Sequence, residues 1–225
     1  MIPNWADGDL IRPLARERNP LRAAWGLGER CVIGYSGNLG CAHEVAPVVE
    51  LMTLLRDEPG LAFLFIGAGS GYRPLRAAVA ARRLDHVLFR PYQERARLGL
   101  SLTAPDLHLV TLRPAWEGLV MPSKLYGALA AGRPVAFIGD PAGDVAQILG
   151  AGAGVVAAPD AMPALAAELR ALRRDPARRA RMGAAARRAY EAATKEMSLD
   201  AWSGCLRAAA APAAAGPLPE AVAAE

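Results

Sequence analysis

Aromatic residues are scarce: Phe, Trp and Tyr together make up 6% of the 225 residues. A core of ordinary density must then come from Leu, Val and Ile, with Ala admitting close helix contacts. Hydrophobic residues still reach 53% and charged residues only 21%, so a packed globular core is expected, in one large domain or one domain with extensions. Cysteine is also sparse. Cys31, Cys41 and Cys205 show no metal-ligand spacing, and an odd number argues against a disulfide framework. Reduced thiols in a cytoplasmic protein are the simpler reading, no metal site is expected, and Cys31 reads as core. No apolar run approaches the roughly 18 residues that span a bilayer. The opening stretch MIPNWADGD lacks the basic and apolar zones of a signal peptide. Neither sign of charge dominates. Lys plus Arg is 26 and Asp plus Glu is 22, a net +4 that suits a phosphate-bearing partner without calling for nucleic acid.

What is present is alternation. Apolar runs of strand length lie at 32–36, 61–66, 87–89, 107–112, 134–138 and 154–157. Helical patterns fall between them at 44–56, 73–83, 94–102, 122–132 and 143–149. Nearly unbroken apolar strands imply a parallel sheet buried on both faces. The fold class is therefore α/β, a doubly wound, Rossmann-like six-stranded sheet of order 3-2-1-4-5-6. Its ligand belongs beyond the strands' C-terminal ends, where the turns after strands one and four meet. Residues 31–160 form this domain. Three further helices follow at 161–174, 176–194 and 199–210, the first with Leu165, Leu169 and Leu172 on one face. Residues 211–225 are mostly Ala and Pro and read as a disordered tail. Residues 2–19 are irregular and read as a linker into the first strand.

Three stretches carry chemistry. Gly37-Asn38-Leu39-Gly40 closes the first strand ahead of a helix. Backbone without side chains approaches a phosphate closely, and helix N-termini favour anions; the other reading is a tight turn. Gly67-Ala68-Gly69-Ser70-Gly71 resembles a dinucleotide fingerprint, but Tyr72 stands where its third glycine belongs. Arg90 and Pro91 replace the expected acid, which leaves an NADP site through Arg90 as an alternative. The third stretch, 116–135, puts Glu117 ahead of a helix opened by Pro122, with Ser123 and Lys124 in the first turn. The helix dipole disfavours a cation there unless it meets an anion. His43 is either a phosphate donor or a solvated residue at a helix start, and His108 reads as structural. Arg170, Arg173, Arg174, Arg178, Arg179, Arg181, Arg187 and Arg188 read as a solvated basic face, with attraction to an anionic membrane surface as a hypothesis.

The third stretch also carries a resemblance. Its Pro122-Ser123-Lys124, Tyr126 and Ala130-Ala131-Gly132-Arg133-Pro134 resemble the donor-binding helix of family 4 glycosyltransferases, in the subgroup reading P-S-K-x-Y-x-x-x-A-A-G-R-P. Tyr35 to Gly40, Phe65 to Gly69, Phe89 to Tyr92, Ala104 to Val110 and Ile2 to Asp7 are similar to other family segments in order. The resemblance implies the C-terminal half of a GT-B fold, with residues 1–30 as the remnant of an interdomain linker and 161–210 as its C-terminal helices. The missing N-terminal domain would stand on the same or a separate chain. It implies a retaining transferase that takes a UDP- or GDP-sugar, without a cofactor, to a glycan or polyprenyl-linked acceptor at or near the inner membrane. Glu117 would be catalytic and, with Gly118, face the donor sugar. Lys124 with Ser123 would neutralise the diphosphate, the amides of Gly37 to Gly40 would approach it, and Pro91 and Tyr92 would flank the base. Three positions depart from the broader family. Gly127 replaces a ribose-binding Glu, and Asn38 and His43 replace an Arg and a Lys near the first loop. Alternatives are a nucleotide-sugar-binding module that needs a partner domain, and a nucleotide-sugar epimerase.

Overall fold

In the computed structural model, residues 2–150 and 152–210 are described. The expected tail at 211–225 lies outside them. The chain enters through a 3-10 turn at Arg16–Arg18 and a short helix, α1 (Pro20–Ala24), then runs β1 (Cys31–Ser36), α2 (Ala46–Leu54), β2 (Leu61–Ile66), α3 (Tyr72–Ala81) and β3 (Val87–Arg90). α4 (Leu98–Thr103), β4 (Leu107–Thr111), α5 (Lys124–Ala130), β5 (Val135–Ile138), α6 (Asp144–Leu149) and β6 (Gly154–Ala157) follow. α7 (Met162–Arg174), α8 (Pro176–Glu191) and α9 (Lys195–Ala210) end the described chain.

The strands form one sheet of order β3-β2-β1-β4-β5-β6, with every neighbouring pair parallel. The order reverses between β1 and β4, where Ile33 pairs with Leu107 and Gly34 with His108. β2, β4 and β5 are buried along their whole length, as their apolar runs require, and the edge strands β3 and β6 are mostly half-buried. Alternating residues face opposite layers. Ile33, Tyr35, Phe63 and Phe65 pack with α2, α3 and α7. Val110, Leu112, Val135 and Phe137 pack with α5, α6 and α8. Both faces are thus covered, which makes the sheet doubly wound.

The opening thirty residues are more ordered than a linker. Ile11, Leu21 and Leu27 are fully buried. Asn19 caps α1, its Oδ1 accepting from Leu21 N at 2.9 Å, while its Nδ2 donates to Leu100 O and Thr103 Oγ1. Buried Arg22 donates to the carbonyls of Ala104, Gly28 and Arg30, and pairs with Asp106 at 3.2 Å. Asp106 in turn accepts from Val32 N at 2.8 Å, which ties the incoming chain to the start of β1. Other differences are at element ends. α5 begins at Lys124 rather than Pro122, because Ser123 sits at its N-cap and Pro122 only accepts from Leu125 N. α9 begins four residues before position 199, after Thr194, whose Oγ1 accepts from Met197 N. The helix expected at 94–102 is a 3-10 turn, Arg95–Arg97, followed by α4.

The arginine run is paired as well as solvated: Arg174, Arg181 and Arg188 are exposed and the other five are half-buried. Arg170, Arg173 and Arg174 converge on buried Glu58 at 3.4, 2.7 and 3.8 Å. Arg178 pairs with Glu168, and Arg179 donates to the carbonyls of Leu172 and Arg173. Arg187 donates to Ala130 O at 2.8 Å and pairs with Glu191. Six of the eight thus bond neighbouring carboxylates or carbonyls while none is fully buried, so the run remains a partly solvated basic face.

Candidate functional site

β1 ends at Ser36, and the chain turns sharply at Gly37, whose φ of +124° lies where side chains are strongly disfavoured. A Cβ at Gly37 would stand 3.0 Å from Lys124 Cε, so the bare backbone here leaves room for the lysine to lie along the turn. Gly37 N donates to Ile66 O at 2.8 Å and Leu39 N to Ala68 O at 3.0 Å. These two amides are bonded inward, and Leu39 is a core side chain. The expectation that all of the amides from Gly37 to Gly40 approach an anion therefore fails for Gly37 and Leu39. The second glycine stretch supports this turn. Gly69, at φ +131°, packs bare backbone against Asn38 Oδ1 and Leu39. Arg90 donates to Phe89 O and Trp25 O, so it is held on backbone carbonyls and does not await a 2′-phosphate.

Lys124 is the first residue of α5, and its ammonium reaches back to the end of β1. Nζ lies 3.1 Å from His43 Nε2 and 5.5 Å from the centre of the Tyr35 ring. Burial lowers its pKa, because desolvation disfavours the charged form. Among the described residues, no carboxylate forms an ion pair with it. His43 is buried, and Nδ1 stands 2.6 Å from Thr111 O. A carbonyl only accepts, so Nδ1 carries the proton and Nε2 presents a lone pair to Lys124. Burial, then the neighbouring Lys124 charge, lowers the imidazole pKa, against the opposing effect of the Thr111 bond. His43 is therefore neither a solvated residue at a helix start nor free to donate from Nδ1 to a phosphate.

The ammonium opens into a cleft of ≈ 450 Å³ at the switch point of the sheet. Gly37, Asn38, Ser123, Lys124 and Tyr92 line it together, as does Gly127. Tyr92 is 56% exposed and forms part of one wall. Among the lining residues not expected from sequence are Asp7, Gln93 and Arg95. Arg95 pairs with Asp7 at 2.8 Å, joining the opening segment to the loop after β3. The adjacency of Arg95 to Pro91 and Tyr92 was the only sequence signal for it. Other predicted residues lie apart. Gly40 and His43 border a neighbouring hollow with Cys41, Glu44 and Arg113 instead of the cleft, and Pro91 is exposed beside the cleft rather than in it. Glu117 Oε1 accepts from Asp144 N at 2.8 Å at the start of α6, while Oε2 is buried without a partner. Gly118, at φ +74°, lines a separate hollow with Asn4, Tyr126 and Asp144. The expectation that Glu117 and Gly118 share one surface with Lys124 is thus corrected. In this conformation Glu117 caps a helix, because the bare backbone of Gly143 lets its carboxylate sit against the α6 N-terminus.

The model for the family described as "Glycosyl transferases group 1" matches residues 17–189. The chain belongs to this family. It is 31% identical over 173 residues to WcaI of Escherichia coli (strain K12), a protein named for a glycosyl transferase of colanic acid biosynthesis; the match covers 75% of this chain and 42% of WcaI. Among solved structures, Anabaena HepE in complex with UDP-glucose superposes with a TM-score of 0.77 at 18% identity, covering 92% of this chain and 57% of HepE. The C-terminal domain of the group 1 family protein LpcC from Francisella tularensis superposes with a TM-score of 0.64 at 19% identity, covering 83% of this chain and 95% of that domain. The fold is therefore that of the C-terminal domain of a GT-B glycosyltransferase. The chain spans about half the length of the whole group 1 proteins it matches, and no described helix is long and apolar enough to cross a membrane.

Proposed function

We propose that this chain is the donor-binding half of a retaining glycosyltransferase. It holds a nucleoside diphosphate sugar with the diphosphate against Lys124 and the amides of Asn38 and Gly40. Tyr92 offers a ring for the base, and Ser123 a hydroxyl beside the phosphates. During transfer the acceptor oxygen bonds the anomeric carbon as the bond between that carbon and the β-phosphate oxygen breaks, and the hydroxyl proton passes to the departing diphosphate. The departing diphosphate gains charge, and a fixed, half-dry ammonium stabilises that charge more than water would. A second domain, on the same or a separate chain, brings an acceptor hydroxyl from a lipid-linked or cell-surface glycan. Glu117 joins the site by leaving its cap on α6 when the sugar arrives, which would satisfy its unpartnered Oε2.

The observation that carries the reading is the Lys124 ammonium itself, half-buried with no carboxylate paired to it among the described residues, and lining a cleft in a group 1 chain. UDP-glucose bound to HepE supports a UDP-sugar as the donor class. The test is calorimetric titration with UDP-glucose and with GDP-mannose. Saturable binding of one of them, abolished by excess of the matching nucleoside diphosphate, is expected. Binding of neither would remove the donor-site reading. Conversion of UDP-N-acetylglucosamine to a 2-epimer without acceptor would instead favour an epimerase.

A further inference from the structure

His43 bonds two groups at once, and the geometry leaves no freedom in how. Thr111 O takes the Nδ1 proton at 2.6 Å, which fixes the tautomer and aims the Nε2 lone pair at Lys124 Nζ, 3.1 Å away. β4 thereby holds the first residue of α5 through one imidazole. The ring itself is held edge-on against Tyr35, centroids 6.0 Å apart, and buried Tyr35 donates from its hydroxyl to Asn38 O at 2.9 Å. An ammonium has three N–H groups, and this contact uses one. Two N–H groups remain beyond this contact, and Lys124 lines the cleft. A long flexible lysine loses much rotamer freedom when it grips an anion, so a seat occupied beforehand lowers that cost.

We propose that His43 is a positioning residue for Lys124, seating its ammonium for the diphosphate through the Nε2 lone pair, and that this imidazole must stay neutral for the donor to bind well. The inference rests on the donor-site reading above. The charged and titratable groups around the ring are few. Lys124 approaches from α5 and the Tyr35 phenol from β1. Thr111 faces it from β4, and Arg113 donates from Nε to the His43 carbonyl at 3.4 Å. Glu44 borders the same outer hollow as Arg113. Protonation turns Nε2 from acceptor to donor and sets two cations side by side, which unseats Lys124. The neutral ring therefore persists down to below the ordinary histidine pKa, and the seat is lost as the pH falls through the lowered value.

The test pairs imidazole NMR with calorimetry on the full chain, using UDP-glucose and GDP-mannose as probes. Their diphosphate diesters keep their charge between about pH 5 and about pH 8. NMR of the free protein should show the Nδ1–H tautomer at His43, and Lys124→Met should raise its midpoint by removing the adjacent charge. His43→Leu should bind the sugar nucleotide about tenfold more weakly at neutral pH, the worth of one charge-assisted hydrogen bond. His43→Gln, whose Oε1 accepts in place of Nε2, should restore most of that loss, and its affinity should no longer follow pH. The wild type should weaken as the pH falls through the lowered His43 midpoint that NMR reports. Affinity that instead rises on acidification would mean that protonated His43 meets the diphosphate itself, and the proposal would be wrong. An Nε2–H tautomer, or a midpoint unmoved by Lys124→Met, would dissolve the pair. Binding by no variant, with the pair intact by NMR, would sink the donor reading and the purpose of the seat together, while leaving the pair standing.

Discussion

Lys124 keeps its charge in half-dry surroundings, with an imidazole lone pair and a phenol ring for neighbours. Removing the ammonium should cost the site its main attraction for a diphosphate. Lys124→Ala is expected to weaken sugar-nucleotide binding by at least several-fold in calorimetry, with the melting temperature little changed. The charge is present below the lysine's folded pKa and lost above it. That pKa lies under the 10.5 of a free lysine, so affinity should decline at a lower pH than an ordinary lysine would give. His108 offers a separate test of the core. Burial pushes its pKa down to about 4, and Nε2 bonds Leu102 O at 2.8 Å. Between about 4 and 6.5 the unfolded chain binds a proton that the folded chain refuses, so stability falls as pH falls through that window. His108→Gln should lose less stability between pH 7 and about pH 5 than the wild type, by urea midpoint. The lysine and the first glycine were legible in sequence because a cation at a helix start and bare backbone after a strand each carry a physical signal. The Thr111–His43 contact was not, since a strand threonine bonding through its carbonyl looks like any other residue.

Elements here are held at their ends more than their lengths would suggest. α1 is five residues long and would not persist alone, yet Arg22 on it bonds three carbonyls and Asp106. Asp106→Ala would leave buried Arg22 unpaired and Val32 N without its acceptor. A loss of about 3–5 kcal/mol is expected from urea unfolding, because breaking a buried pair strands the remaining charge. Arg22→Ala should have a loss of similar size, and the double variant should fall short of the sum. The strands and their order were readable in the apolar runs and the spacing of turns. The anchoring of residues 2–30 was hidden because its partners lie more than 70 residues away in sequence. Pro3, Pro13 and the mixed charges of that segment show no period, so nothing local announces burial. The pairing within the arginine run was hidden for a related reason: helical spacing does not reveal that Glu58, in a loop before β2, draws three of them together.

At the scale of the molecule, the chain carries one sheet, its covering helices and a cleft at the strand reversal. The group 1 proteins it matches are about twice as long. Binding and turnover should therefore separate. The chain alone is expected to bind a sugar nucleotide, while transfer to acceptor appears only when a second domain of the family is supplied; an assay of sugar transfer with and without that domain checks this. The central claim is one of place: a diphosphate rests between the turn after β1 and the start of α5. A crystal soaked with UDP-glucose or GDP-mannose tests it most directly. The account predicts phosphate density within hydrogen-bonding distance of Lys124 Nζ and the Asn38 and Gly40 amides, with the base toward Tyr92. Density bound elsewhere on the chain, with Lys124 still held only by His43, would contradict it.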